Sequence, residues 1–227
     1  MNGSIVRSDG TVLLVGGAGG DNRQLRQLLV EAAQVVAADS GADWLHEIGH
    51  TPDALIGDLD SVSPAARGAL PPDRVRHIAE QDSTDFDKAL RSIDAPLTIG
   101  IGFLGRRVDH MLAAMTVLCR YPQRAVLLVG EDDVIVHLPP HLDISLQPGT
   151  RVSLFPMREL RGRSTGLTWP IDGLSFAPDT RTGTSNRALG PVSLTMQMPG
   201  MLLILPASER SALQSALAQC DAMWPAP

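Results

Sequence analysis

Through the first 130 residues, short apolar runs alternate with segments of helical period. TVLLVGG (11–17) is a run of aliphatic residues closed by glycines, and QVVAAD (34–39), DALIGD (53–58), VRHIAE (75–80), PLTIGI (96–101) and RAVLLVG (124–130) repeat the theme. Such continuous runs predict strands buried on both faces. Between them, Leu25, Leu28, Leu29, Ala32 and Ala33 fall at helical spacing. ADWLHEIG (42–49) predicts a short helix stopped by Gly49 and Pro52. DFDKALRSI (85–93) places Phe86, Ala89, Leu90 and Ile93 on one face, and Val108, Met111, Leu112, Met115 and Leu118 predict another amphipathic helix. Strands alternating with helices predict an α/β fold with a mostly parallel, Rossmann-like sheet covered on both sides.

Beyond residue 133 the pattern changes. VIVHL, LDISL, RVSLF, GLTW, GLSF, VSLTMQM and MLLIL are short or alternating runs broken by Pro, Gly, Asp and Asn. That layout predicts a C-terminal antiparallel β-sandwich, closed by a helix within 208–224. The expected domains are therefore 1–132, α/β, and 133–227, all-β.

Composition narrows the function class. The 227 residues are 44% apolar and 19% charged, with net charge −6. A packed core is expected, and a general nucleic-acid partner is not, because that needs a basic face. Cys119 and Cys220 form no CxxC pair, which predicts free thiols. The start, MNGSIVRSDGTVLLVGG, has no signal-peptide layout, and no stretch approaches a membrane span. A soluble, cytoplasmic protein with no membrane partner is expected.

Three motifs have plain structural explanations. HEIGH (46–50) matches a zinc-protease signature, but Gly49 should end the helix before His50 joins His46 on one face. GIGFLG (100–105) matches a dinucleotide fingerprint, yet the acidic EDD (131–133) lies too far on. GGAGGDN (16–22) lacks a P-loop lysine. HEIGH reads as surface histidines, and the two glycine motifs read first of all as turns.

The carboxylates are harder to dismiss. In GDLDS, Asp58 and Asp60 share one side if the chain stays extended. Paired like charges repel unless a cation lies between them, and Mg²⁺ favours such oxygens together with phosphate. Asp39 ends another strand of the same presumed sheet, while Asp82, Asp85 and Asp87 precede a helix. Thr84 with Asp87 reads as a capping box. Arg106, Arg107, Asp109 and His110 follow the GIGFLG turn; an arginine there suits phosphate oxygens, although Arg106 itself reads as a solvated helix start. An Asp58→Asn change is expected to remove metal charge with little loss of folding, from its position at an exposed strand end.

Taken in order, AADSGADWL, TPDALIGDLDSV, QDSTDFDKAL and GFLGRRVDHMLAAM resemble the motif series of the thiamine pyrophosphokinases, and SLFP, TGLTWPIDG and GTSN resemble that family's C-terminal domain. The resemblance implies a homodimer that transfers diphosphate from ATP to the hydroxyl of thiamine, releasing AMP, with Mg²⁺. It implies metal contacts at Asp58, Asp60 and Asp85. It puts Asp39, Arg107, Asp109 and His110 near ATP, with Arg107 among the catalytic groups. It puts Trp169, Ser185 and Asn186 on thiamine. ADSGAD departs from the commoner ADGGAN, Arg106 stands where a glycine is usual, and Gln81 where a lysine often precedes D-x-T-D. Three alternatives remain at this point: a hydroxymethylpterin pyrophosphokinase with a related GDxDS domain, a non-catalytic nucleotide- or thiamine-binding sensor, and a NAD-dependent oxidoreductase.

Overall fold

The computed structural model describes residues 5–220 and 222–227. Met1–Ser4, part of the start read above, and Asp221, within the expected C-terminal helix segment, lie outside the described residues. The chain divides into two compact units, Met1–Val117 with Leu128–Glu131, and Leu118–Leu127 with Asp132–Pro227.

The first unit carries β1 (Val6–Arg7), β2 (Val12–Val15), α1 (Asn22–Glu31), β3 (Gln34–Ala38), α2 (Gly41–Glu47), β4 (Ala54–Gly57), α3 (Pro64–Gly68), β5 (Val75–His77), α4 (Asp85–Arg91), β6 (Ile93–Asp94) and β7 (Thr98–Ile101). Next come α5 (Val108–Arg120) and β8 (Val126–Val129). Strands β7, β2, β3, β4 and β5 lie side by side in that order, every pair parallel. Val15 is opposite both Ala37 and Ile101, and Ala38 is opposite Ile56. The carboxyl ends of four strands therefore share one rim. Val12, Leu14, Val15, Val36, Leu55 and Ile56 are wholly buried, as a sheet with two covered faces requires.

Two helices illustrate how local sequence sets boundaries. α1 begins where the Asp21 carboxylate accepts from the Arg23 N–H. In α4 the Thr84 hydroxyl accepts from the Asp87 N–H, the expected cap. The apolar face of α4 is Phe86, Ala89 and Leu90, all buried. α5 forms where the periodicity predicts a helix, but its buried face differs from the expected one. Ala114, Met115, Val117 and Leu118 are buried, whereas Val108 is 64% and Leu112 57% exposed. Spacing fixes which residues share a stripe; it does not fix how far along the helix there is something to pack against.

The second unit carries β9 (Asp133–His137), β10 (His141–Ile144), β11 (Arg151–Pro156), β12 (Leu160–Leu167), β13 (Ser175–Phe176), β14 (Gly183–Met196), β15 (Met201–Pro206) and α6 (Arg210–Ala218). Strands β9 to β15 pair with one another antiparallel. β14 is the organiser. Its first residues pair with β11, and its later ones with β10 and β12. Asn186, Ala188, Val192, Leu194 and Met196 alternate inward along it.

Candidate active site

The parallel rim is built on glycines that let backbone meet backbone. A Cβ on Gly16 would lie 2.6 Å from the Gly102 oxygen; one on Gly102, whose φ is +80°, would lie 2.3 Å from the Gly16 oxygen. Gly16 and Ala18 N–H groups donate across to Ile101 and Gly102. The GGAGG and GIGFLG turns thus seal the ends of β2 and β7 together. In α2, His46 is helical, while Gly49 turns the chain at φ +77° and leaves His50 outside the helix.

Above these turns lies a cavity of about 330 Å³, lined by Ala18, Asp39, Ser61, Asp85, Phe103, Arg106, Arg107 and His110 among others. Asp39 follows β3, Asp58 follows β4, and Asp60 is two residues on. Oxygens from these three carboxylates lie within 4.8 Å of one another. The expected extended geometry of GDLDS does not hold. Leu59 adopts φ +64° and is buried, so a left-handed turn, not strand alternation, brings the two acids together. The apolar side chain of Leu59 anchors that turn.

Asp39 is 3% exposed, its Oδ1 has no hydrogen-bond partner, and its own φ is +44°. Burial, followed by the nearby charge of Asp85, pushes its carboxyl up to about 6. A buried acceptor aimed at no donor, beside two further carboxylates, suits a divalent cation with oxygen ligands.

Asp85 is not among the three. Its Oδ1 takes the Lys88 ammonium at 3.2 Å, and the same ammonium lies 2.7 Å from Asp58 Oδ2. Lys88 is 1% exposed. The Lys88 hydrogen bond holds the Asp58 carboxyl below its ordinary value against the pull of burial. Burial pulls the Lys88 ammonium down, but its bond to Asp58 and the charge of Asp85 outweigh this and leave it raised. Gln81 Nε2 also donates to Asp58 Oδ2, at 3.2 Å. Sequence reasoning gave Lys88 no role. The one available signal was its position in D-x-x-K, one turn after Asp85, where (i, i+3) pairing is possible.

On the other side of the cavity, Arg107 holds Asp109 through two bonds of 2.6 and 3.2 Å. That contact draws the Asp109 carboxyl down to about 2. His110 lines the same cavity.

A second cavity, also about 330 Å³ and more open, belongs to the second unit and is lined by Trp169, Ser185 and Asn186, with Arg181 and Phe176. Trp169 is 57% exposed and follows the end of β12. Asn186 is buried. Its Nδ2 donates to the Trp169 carbonyl at 2.7 Å, and its Oδ1 accepts from the Trp169 and Arg187 N–H groups. Its amide is therefore engaged in fixing the backbone that carries the indole. Ser185 has φ +62°, and its N–H donates to Ser153 Oγ. Among the described residues, the non-glycines with left-handed φ are Asp39, Leu59, Arg106 and Ser185, all at these two places. Such backbone concentrates where function needs a fixed, costly geometry.

The family model for the thiamin pyrophosphokinase catalytic domain matches residues 25–129. The chain is similar to the thiamine pyrophosphokinases over this segment. Thiamine pyrophosphokinase 3 of Oryza sativa subsp. japonica is 29% identical over 157 residues, 60% of this chain and 58% of that protein. The chain thus spans less than two thirds of that plant relative. Thiamin pyrophosphokinase from Candida albicans superposes with TM-score 0.76 at 16% identity, over 91% of this chain and 94% of its own. The Bacillus subtilis thiamine pyrophosphokinase gives 0.70 at 22%, over 86% and 98%. At those identities the two structures speak to the fold alone, a mixed α/β fold with a large sheet. The segment matching the thiamin pyrophosphokinase catalytic domain contains Asp39, Asp58, Asp60, Asp85, Lys88, Arg107, Asp109 and His110. Trp169, Ser185 and Asn186 lie outside it.

Proposed function

We propose that this protein is a thiamine diphosphokinase, transferring diphosphate from ATP to the hydroxyl of thiamine with release of AMP. The observation that carries the reading is the carboxylate group Asp39, Asp58 and Asp60 at the strand ends, of which Asp39 lines the same cavity as Asp85, Arg107 and His110. Transfer of this kind needs positioning and charge neutralisation more than covalent help from the protein. Asp39, Asp58 and Asp60 would hold Mg²⁺, with Asp85 beside them; a bound Mg²⁺ supplies charge neutralisation on phosphate oxygens. Lys88 keeps Asp58 ionised and oriented. Arg107, braced by Asp109, presents a fixed guanidinium edge to phosphate. His110 at the start of α5 adds a polar group on the same side.

The second unit, taken as a β-sandwich, carries the acceptor pocket. Trp169 offers an exposed indole face to a cationic aromatic ring, an attraction of roughly 0.5–2 kcal/mol. Asn186 holds that indole in place, and Ser185 offers a hydroxyl. This second cavity is what favours thiamine over a pterin. The reading extends to a homodimer in the cytoplasm: the exposed Val108 and Leu112 offer apolar surface, and both cysteines are free.

The test is direct. Purified protein is incubated with ATP and Mg²⁺ plus either thiamine or hydroxymethylpterin, and AMP is quantified. AMP and thiamine diphosphate should form together, and chelation should abolish both. AMP with the pterin alone would reassign the acceptor; AMP with neither would leave a sensor.

A further inference from the structure

Arg106 stands apart from every other charged group around the first cavity. Its φ is +48°, a conformation that glycine adopts freely and an arginine does not. A side chain at such a position is retained against a standing conformational cost. Its guanidinium is not used to hold the fold. Among the described residues no carboxylate pairs with it, whereas neighbouring Arg107 is bound twice by Asp109. Instead it lines the cavity, and its Nη2 lies 3.3 Å from where a Cβ on Gly19 would be. It therefore reaches from the turn before α5 to the glycine turn after β2. A Cβ on Gly19 would crowd the guanidinium slightly, so the two lie in close proximity.

We propose that Arg106 is a phosphate-binding residue for the donor nucleotide, a second guanidinium beside Arg107; this rests on the ATP-dependent reading above. The chemistry is complementary. The rim already holds four carboxylates, Asp39, Asp58, Asp60 and Asp85, against which a polyphosphate would be repelled. Lys88 is buried beneath two of them, and Arg107 is half neutralised by Asp109. Among the described residues, Arg106 is a cation at this cavity with no ion pair or side-chain hydrogen bond, and its planar fork fits phosphate oxygens in a way an ammonium does not.

The experiment measures binding, without turnover. Wild-type protein, Arg106→Gly and Arg106→Lys are titrated with a non-hydrolysable ATP analogue plus Mg²⁺, and separately with adenosine. Arg106→Gly relaxes the backbone, so its resistance to denaturant should equal or exceed wild type. Its affinity for the ATP analogue should fall about tenfold or more, as loss of a charge-assisted hydrogen bond implies. Adenosine affinity should stay within about twofold. Arg106→Lys should lie between. If Arg106→Gly binds the analogue as wild type does, or loses analogue and adenosine equally, the assignment of Arg106 is wrong while the nucleotide reading stands. If wild type binds neither, the nucleotide reading itself falls, and this inference with it.

Discussion

The buried ammonium of Lys88, in α4, lies 2.7 Å from Oδ2 of Asp58, a residue 30 positions away at the end of β4. The contact ties α4 to the end of β4 and places a positive charge under the acidic rim. Removing it with Lys88→Met leaves Asp58 and Asp85 facing each other without a counter-charge. Breaking a buried pair from one side costs about 3–5 kcal/mol; here both carboxylates touch solvent, so about 2–3 kcal/mol is expected. Urea denaturation at neutral pH measures it, and Mg²⁺ should restore part of the loss. A change below about 0.5 kcal/mol would mean the ammonium is not paired in solution.

Asp58→Asn follows from the same contact. The sequence suggested little effect on folding, but the side chain is 11% exposed and bonded to Lys88. The variant should lose about 1–2 kcal/mol as well as its turnover, because Lys88 retains Asp85 alone. Thermal unfolding and an AMP assay read the two effects separately. Full activity would remove Asp58 from the metal group.

Asp39→Asn should do the opposite to the fold. Asp39 is a buried carboxyl with an unpartnered oxygen and acidic neighbours, so neutralising it relieves a cost in the metal-free protein. The metal-free variant should unfold at higher temperature than wild type. The extra stability that wild type gains from Mg²⁺ should shrink or vanish. A Mg²⁺ increment equal to that of wild type would place the ion elsewhere.

Trp169→Ala removes an exposed indole that contributes little to the core. Stability should change by less than about 1 kcal/mol. The thiamine KM should rise about tenfold, with the ATP KM within about twofold. Parallel increases in both would take Trp169 out of the acceptor pocket. An Asn186→Ala variant should show the same pattern more weakly, since Asn186 acts through the backbone at Trp169.

His137, which is not among the residues lining either cavity, sets a separate pH dependence. Its Nε2 accepts from the Gly200 N–H, and burial, with the charge of Arg158, pushes its imidazole down to about 4. The native state holds this ring neutral, while the unfolded chain takes up a proton below about pH 6.5. Its contribution is therefore complete above about pH 6.5 and is lost as pH falls towards 4, to a limit of about 3 kcal/mol. Denaturation curves at pH 7 and pH 5 should differ accordingly. His137→Phe, which cannot titrate, should lack this part of the slope; an unchanged slope would assign it to other groups.

Local pattern determined a good deal of this protein. Aliphatic runs such as VLLV and ALIG could only be strands buried on both faces, and Thr84 with Asp87 could only open a helix, because these effects act over one or two turns of chain. Parallel strands then oblige Asp39 and Asp58 to emerge on one rim. Spacing could not show that Leu59 would turn left-handed, that Asn186 would hold Trp169 by its backbone, or that Lys88 would be sealed beneath Asp58 and Asp85. Those outcomes depend on which distant groups share a volume from which water is excluded. There an unpaired charge or amide is costly, and the tertiary structure alone supplies the partner.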